Sequence, residues 1–451
     1  MQGINNSNDY RAQNIKDAYR VCDVRPLEEA EELAKYYYDL SGIRYSQPIG
    51  EVSFILDNVR RGENKTILFT GHRGSGKTTE LKKITDEWSK NYFIIFFNAD
   101  EELNINDARY TDLYLAIIKQ VESQLRHKGI GLDKKLMETF ADWFKEITKE
   151  TEESVERSIS IEGSMEGGTE IPFLAKLWLK ILAQIKGSEK QKRTIRQTLD
   201  EDISRLQADI NALLRDGAKK LIAKYPEYKG ILIVVDNLDR VPPPVGDHLF
   251  FEYGSQLQQL DCNIIYTVPI SVVYSTKNIG NIFEENPHIL PMVHIYNFDQ
   301  QSVDLEYTLE GLEAMTSVIA KRVNVDLVFA SQAELQEIAK ASGGHVRQLM
   351  RIMRTACQSA TTNRRSQIHM VDVEYGIRQE QFQFERLIPE EHYAFLVEVC
   401  RSKNLKKTEK TQDMLYNLSV LEYIYMTERR WNYVNPVVKN SELFQQALQE
   451  I

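Results

Sequence analysis

No apolar run in this chain approaches the roughly twenty residues that a membrane-spanning helix requires, so an integral helical membrane protein is not expected. Cysteine is scarce. Cys22, Cys262, Cys357 and Cys400 stand far apart, with neither the spacing of a metal site nor the density of a disulfide framework, and buried thiols in a reducing compartment are expected. An excess of positive charge is also missing: the net charge of −10 argues against indiscriminate polyanion binding, although it leaves room for a local basic patch. The start, Met1-Gln2-Gly3-Ile4-Asn5-Asn6, is polar and carries no signal-peptide pattern, so a cytoplasmic location is expected. What remains is 451 residues of ordinary globular composition, 42% apolar and 27% charged, enough for two or three domains.

Within that composition one stretch carries specific chemistry. Gly71-His72-Arg73-Gly74-Ser75-Gly76-Lys77-Thr78 fits the phosphate-binding loop pattern, and it follows the apolar run Thr66–Thr70 and precedes a helical stretch that opens with Thr79. The glycines let successive backbone N–H groups turn toward a phosphate, Lys77 supplies a mobile charge for the β and γ oxygens, and the Thr78 hydroxyl reaches Mg²⁺. The run Ile231–Val235 ends in Asp236, the acid expected to hold the metal at the carboxyl edge of a buried strand. Asn237 follows where many such ATPases carry an acid that orients water; Asp239 takes that role, or Asn237 positions water without acting as a good base, or Asp239 and Arg240 form a local ion pair. No Asn-Lys-x-Asp guanine reader occurs, so ATP is favoured over GTP as the ligand. The run Ala341–Gln348 superficially resembles the ABC-transporter signature, but it lies about a hundred residues after Asp236 and so on the wrong side of it.

The layout is that of an α/β protein. Residues 10 to 40 read as helical, a loop containing Arg44, Tyr45 and Pro48 follows, and a second helix ends near Arg61. Further strands are expected at Tyr92–Asn98, Ile231–Val235, Asn263–Val268 and Ile289–Tyr296, giving a parallel sheet. Because the metal-binding strand is not the first after the loop, the order resembles the additional-strand class of P-loop ATPases, in which the fourth strand separates the first from the third. Residues 104 to 228 form a long helical insertion, expected to be a separate module. Its apolar segment Ile171–Ile185 reads as a core helix or self-association surface, with a partner-binding or membrane-surface helix as alternatives; Glu162–Gly168 reads as a loop and 190 to 224 as a helix or helical pair with a solvated face. In the last helix of the 305 to 362 region Arg347, Arg351 and Arg354 share one face, and Arg347 is placed to reach a γ-phosphate.

The phosphate loop with Thr78-Thr79-Glu80-Leu81, the Asp236–Arg240 segment and Gly343-Gly344 followed by Arg347 together resemble bacterial ATPases of the AAA+ and STAND type, related in layout to origin-recognition ATPases. The resemblance implies a P-loop ATPase domain over 45–300, an α-helical lid over 301–384 and a C-terminal winged helix over 385–451, preceded by an N-terminal helical segment at 1–44. It also implies a polar sensor ending the fourth strand, best matched by Thr267, and an arginine finger from a neighbouring subunit, for which Arg240 and Arg322 are candidates. The tail fits: helical patterns at 390–401 and 409–420 precede a hairpin pattern over Tyr423–Val434, and Arg401, Lys403, Lys406, Lys407 and Lys410 against Glu409, with Arg429 and Arg430 in the wing, form a candidate DNA grip. The implied function is an ATP-dependent switch with Mg²⁺ that controls assembly with itself or a separate effector protein, as in anti-phage defence. A DNA-binding assembly factor of the replication or transposition-regulator kind is the alternative, and a nucleotide-bound scaffold with little turnover is a third.

Overall fold

The computed structural model describes residues 9–148, 189–426 and 429–450. Its centre is a parallel sheet of β1 (Thr66–Gly71), β2 (Tyr92–Asn98), β3 (Gly230–Asp236), β4 (Asn263–Val268) and β5 (His288–Leu290), in the spatial order β2-β3-β4-β1-β5. β4 therefore lies between β1 and β3, with Phe69 opposite Thr267 and Val234 opposite Ile265. Every residue of β3 and β4 is buried. Helices cover both faces, which is why these strands read as unbroken apolar runs rather than alternating ones.

Ahead of β1 come α1 (Ile15–Val21), α2 (Ala30–Tyr36), α3 (Ser41–Arg44) and α4 (Pro48–Asn58), and α5 (Lys77–Trp88) follows it. The single helical stretch expected over 10 to 40 is thus two short helices joined by an extended strap, because Pro26 lacks an N–H and disfavours helix at the residue before it. Arg44, expected in a loop, ends α3 and is buried, and Pro48 opens α4, where its missing N–H leaves nothing unsatisfied. On this side of the sheet Val52, Leu56, Leu81 and Ile84 pack against Ile67, Phe69, Leu232 and Ile265.

The opposite face is covered by the crossover from β2 to β3. After the short α6 (Ala99–Glu102) it contains α7 (Tyr110–His127), α8 (Lys134–Thr148), α9 (Glu189–Glu201) and α10 (Ile203–Lys224). Leu113, Ile117, Leu206 and Leu213 share one apolar core with Phe93, Ile233 and Ile264 of the sheet. The described part of the insertion is therefore a layer of the sheet domain and not a separate module. Residues 190 to 224 are the expected helical pair, with Arg193, Arg205, Arg215 and Lys219 on an exposed side, and they also have a buried side on which Arg196 pairs with Asp112 and, at 3.0 Å, with Asp107. The segments 162–168 and 171–185 lie outside the described residues.

β4 leads into α11 (Ile270–Val273), and β5 is only three residues long where a strand to Tyr296 was expected. Past Pro291 the chain finds other partners: Met292 N–H donates to Glu422 O at 3.0 Å and Val293 N–H to Gly344 O at 3.2 Å. Those partners belong to two helical bodies. The first contains α12 (Leu309–Ala320), α13 (Gln332–Ala341), α14 (Val346–Thr362) and α15 (Met370–Leu387); the second contains α16 (Tyr393–Ser402), α17 (Glu409–Tyr416), the antiparallel hairpin β6 (Val420–Tyr425) and β7 (Arg429–Val434), and α18 (Glu442–Glu450). Both share a core with the N-terminal segment, in which Ile15 and Ala18 join Met315, Ile352, Leu396, Val420 and Tyr433. Gly344 is a tight seam between the chain just past β5 and the first helical body: its φ is +76°, and a Cβ there would stand 2.0 Å from Val293 O. Among the described residues no helix is long and apolar enough to cross a membrane.

Candidate nucleotide site

The loop from Gly71 to Thr78 turns from β1 into α5, with Gly76 at φ 106° as the last residue before the helix. Lys77 folds back over it. Its Nζ donates to Gly71 O and His72 O, both at 2.8 Å, and pairs with Asp239 Oδ2 at 2.7 Å. Burial pushes the Lys77 ammonium pKa down, opposed by the Asp239 carboxylate. Asp236 accepts the Asn237 N–H at 2.8 Å through Oδ1, while its Oδ2 is buried with no hydrogen-bond partner. Burial raises the Asp236 carboxyl above its ordinary range, Asp239 adds to the rise, and the adjoining Thr78 hydroxyl lowers it. An orphaned carboxylate oxygen beside a threonine hydroxyl at a helix start is a donor set that suits Mg²⁺. Replacing Asp236 with Ala is accordingly expected to remove most of the Mg²⁺ dependence of nucleotide binding, checked by titrations with and without EDTA.

Three features of the turn after β3 bear on the roles expected there. Asn237 has φ 60°, a left-handed conformation that asparagine tolerates better than glutamate, and its amide donates to Asp100 Oδ1 at 3.0 Å. Asp239 does not pair with Arg240; it pairs with Lys77, and Arg240 pairs with Asp100 at 2.6 Å. Thr267 is not on the cleft wall. Its buried hydroxyl donates to Val235 O at 3.2 Å and accepts the Leu238 N–H at 3.0 Å, so it braces the turn that carries Asp236 and Asp239.

The cleft above the loop opens to solvent. Its far wall was not foreseen: the strap from Asp23 to Leu27 and the segment Tyr36–Leu40 close it on one side, and Val318, Val346 and Met350 of the lid on another. Three contacts hold this N-terminal segment to the loop and the first turn of α5. Leu27 N–H donates to Thr79 Oγ1 at 3.1 Å, Tyr37 OH to Glu80 Oε2 at 3.0 Å, and Arg44 Nη2 to Ser75 O at 2.6 Å. The Thr79 hydroxyl thus serves the strap. Arg322, considered as a finger for a neighbour, is buried in this chain's own cleft wall and donates to Val318 O at 2.7 Å and Tyr36 O at 3.2 Å, and Arg240 is likewise paired in cis.

Lid and C-terminal body both grip the loop directly. His345 Nε2 lies 2.7 Å from Arg73 O and Arg347 N–H donates to Gly74 O at 3.1 Å, which brings the Arg347 guanidinium to the cleft. Arg351 and Arg354 turn away, to Glu380 at 3.0 Å and to Tyr19 O at 2.9 Å. From the other side Glu422 N–H of β6 donates to His72 Nε2 at 2.9 Å, so the neutral ring carries its proton on Nδ1. Burial, with His345 and Lys77 nearby, depresses the His72 pKa to about 3, and burial takes His345 to about 3 as well. An unfolded histidine protonates near 6.5, so stability is complete above that pH and is lost as pH falls from 6.5 toward 3. The melting temperature is expected to drop between pH 7.5 and 5, and to drop less in His72→Gln, which keeps an acceptor for Glu422 N–H.

Of the candidate DNA-gripping cluster Lys403 alone is buried, while Arg401, Lys406, Lys407, Lys410, Arg429 and Arg430 are exposed and make contacts within the chain. Lys403 is buried and donates to Ser302 O at 2.7 Å, Lys406 pairs with Glu398, Lys407 reaches Ser275 O at 3.4 Å, and Arg401 donates to Leu448 O at 3.3 Å. Lys410 lies over the Phe395 ring and Arg429 over Phe298, while Arg430 pairs with the buried Glu422 at 3.6 Å. Lys403 is thus withdrawn from the patch, and the other six basic side chains remain on the surface.

A parallel sheet with the fourth strand between the first and third, a phosphate loop leaving β1 and an acid ending β3 define a P-loop NTPase fold. The model of the KAP family P-loop domain matches residues 45–251 of this chain. No curated protein matches it in sequence. Among solved structures it is similar to the ADP form of the ORC2 protein of Aeropyrum pernix (TM-score 0.42, 11% identity, covering 96% of this chain and 97% of that one) and to a Walker-type ATPase of Pyrococcus abyssi (0.40, 13%, 95% and 99%). It is also similar to Cdc6p of Pyrobaculum aerophilum (0.36, 12%, 96% and 98%).

Proposed function

We propose that this chain is an ATP-driven switch in which the state of the phosphate loop sets the docking of the lid and the C-terminal winged-helix-like body. The observation that supports it most is that one loop is held from three sides: by Arg44 of the N-terminal segment, by His345 and Arg347 of the lid, and by Glu422 of β6. A ligand on that loop acts on contacts to all three.

In this reading Lys77 turns from Asp239 to the phosphates, and Thr78 and Asp236 hold Mg²⁺. The metal, when bound, offsets phosphate charge. Asp239, released from Lys77, is then the carboxylate positioned to orient water, since the Asn237 amide is committed to Asp100. Asn237 is a poor base, so hydrolysis is slow. Arg347 meets the terminal phosphate from the lid. Adenine is preferred because no guanine reader is present, and it lies between the strap and the lid. A change of docking exposes a surface for self-assembly or for a separate effector protein in the cytoplasm, and the resemblance to AAA+ and STAND ATPases suggests anti-phage defence as the setting.

The test is ATP turnover together with size-exclusion light scattering for wild type and Lys77→Ala, with and without duplex DNA. Slow turnover lost in the variant, and a nucleotide-dependent change of mass indifferent to DNA, is expected. Turnover stimulated by DNA and lost when the 401 to 410 basic residues are neutralised supports the assembly-factor alternative, and absence of nucleotide binding ends both.

A further inference from the structure

Most cationic side chains on the cleft wall already have partners. Lys77 pairs with Asp239 and Arg240 with Asp100, while Arg44 and Arg322 donate to carbonyls. Arg73 and Arg347 differ, since among the described residues neither guanidinium has an ion pair or a hydrogen bond, although both line the cleft. They belong to adjoining elements, Arg73 to the loop itself and Arg347 to the first turn of α14, whose N–H binds Gly74 O. Arg347 is anchored there by its own backbone. The Arg73 side chain rests instead on the face of Tyr416 at the end of α17, with its guanidinium 5.7 Å from the ring centroid. The Tyr416 hydroxyl donates to Arg240 O at 3.2 Å, so the ring is tied to the turn that carries Asp239.

Tyr416 is half-buried, and at 5.7 Å from the ring centroid the arginine makes no ion pair there, so a phosphate oxygen is a far better partner for it. The loop N–H groups serve phosphates that a di- and a triphosphate have in common, and Lys77 is shared between the β and γ oxygens. A third phosphate adds charge that one lysine does not offset and calls for a further cation. Building on the nucleotide reading above, in which Arg347 meets the terminal phosphate from the lid, we propose that Arg73 is a second arginine for that phosphate and leaves the Tyr416 ring when a triphosphate rather than a diphosphate is bound. Its departure frees α17 at Tyr416 and so carries the distinction to the C-terminal body. The phosphate arginine then comes from the loop of the same chain, and discrimination does not depend on a neighbouring subunit.

The experiment is calorimetric titration of the full chain with Mg²⁺ and either the non-hydrolysable analogue AMP-PNP or ADP, for wild type, Arg73→Ala, Arg73→Gln and Tyr416→Leu. Both Arg73 variants are expected to weaken AMP-PNP binding by about 10- to 100-fold and ADP binding by less than about 3-fold, the size of one charge-assisted contact. Tyr416→Leu removes the competing ring and is expected to tighten AMP-PNP binding by roughly 3-fold without a matching change for ADP. Equal losses for the two nucleotides, or none, overturn the role of Arg73 while leaving the nucleotide site intact. Unchanged AMP-PNP affinity in Tyr416→Leu overturns the link to α17. A wild type that binds neither nucleotide contradicts the switch itself.

Discussion

Lys77→Ala is expected to abolish nucleotide binding and to destabilise the nucleotide-free protein at once. The first effect follows from loss of the loop cation, and affinity for Mg-ATP is expected to fall more than about 100-fold. The second follows from where Lys77 now sits. It is the ion-pair partner of the buried Asp239, with Asp236 close by. Removing one member of a buried pair leaves an uncompensated charge, which costs on the order of 3–5 kcal/mol. Denaturant unfolding measures that loss and calorimetry the binding. The double variant Lys77→Ala/Asp239→Asn separates the two, because it is expected to regain much of the stability and none of the binding.

Gly74→Ala is the second large effect. At φ +83° any side chain is strained, and a Cβ at this position would stand 2.6 Å from both Arg347 Cβ and His345 Nε2. The loop cannot retreat, since Lys77 and Arg44 pin its other carbonyls. The lid must therefore lift, and the contacts of His345 with Arg73 O and Arg347 with Gly74 O are expected to break. Strain and two lost hydrogen bonds together amount to about 2–4 kcal/mol. The expected result is a melting temperature lower by several degrees and faster proteolysis between lid and sheet, while β1, β3 and β4 remain intact. Unaltered proteolysis would show that the lid does not rest on the loop.

The loop and the strand ending in Asp236 were legible in the sequence because their chemistry is local. Phosphate binding dictates glycines, a lysine and a threonine in consecutive positions, and a strand buried on both faces leaves an unbroken apolar run. What was not legible depends on distant backbone. β5 stops at Leu290 because Met292 and Val293 bond to Glu422 and Gly344, partners far along the chain. The strap wall of the cleft rests on Leu27 N–H meeting Thr79, a main-chain group with no sequence signal. Asn237 read as a weakened catalytic position, yet its positive φ and its bond to Asp100 give it a geometric reason. Among the basic residues near 401–410, composition does not reveal that Lys403 is buried while Arg401, Lys406, Lys407 and Lys410 stay exposed.

Hydrogen exchange at two amides, Arg347 N–H on the lid and Glu422 N–H on β6, tests most directly whether the phosphate loop governs docking, since each is bonded to that loop. Exchange is to be followed in the nucleotide-free protein, with ADP, and with AMP-PNP, in the presence of Mg²⁺. The account predicts that both amides change protection between the ADP and AMP-PNP states, while amides in the centre of β3 do not. Identical exchange at both positions in all three states, with calorimetry showing the nucleotides bound, would contradict it.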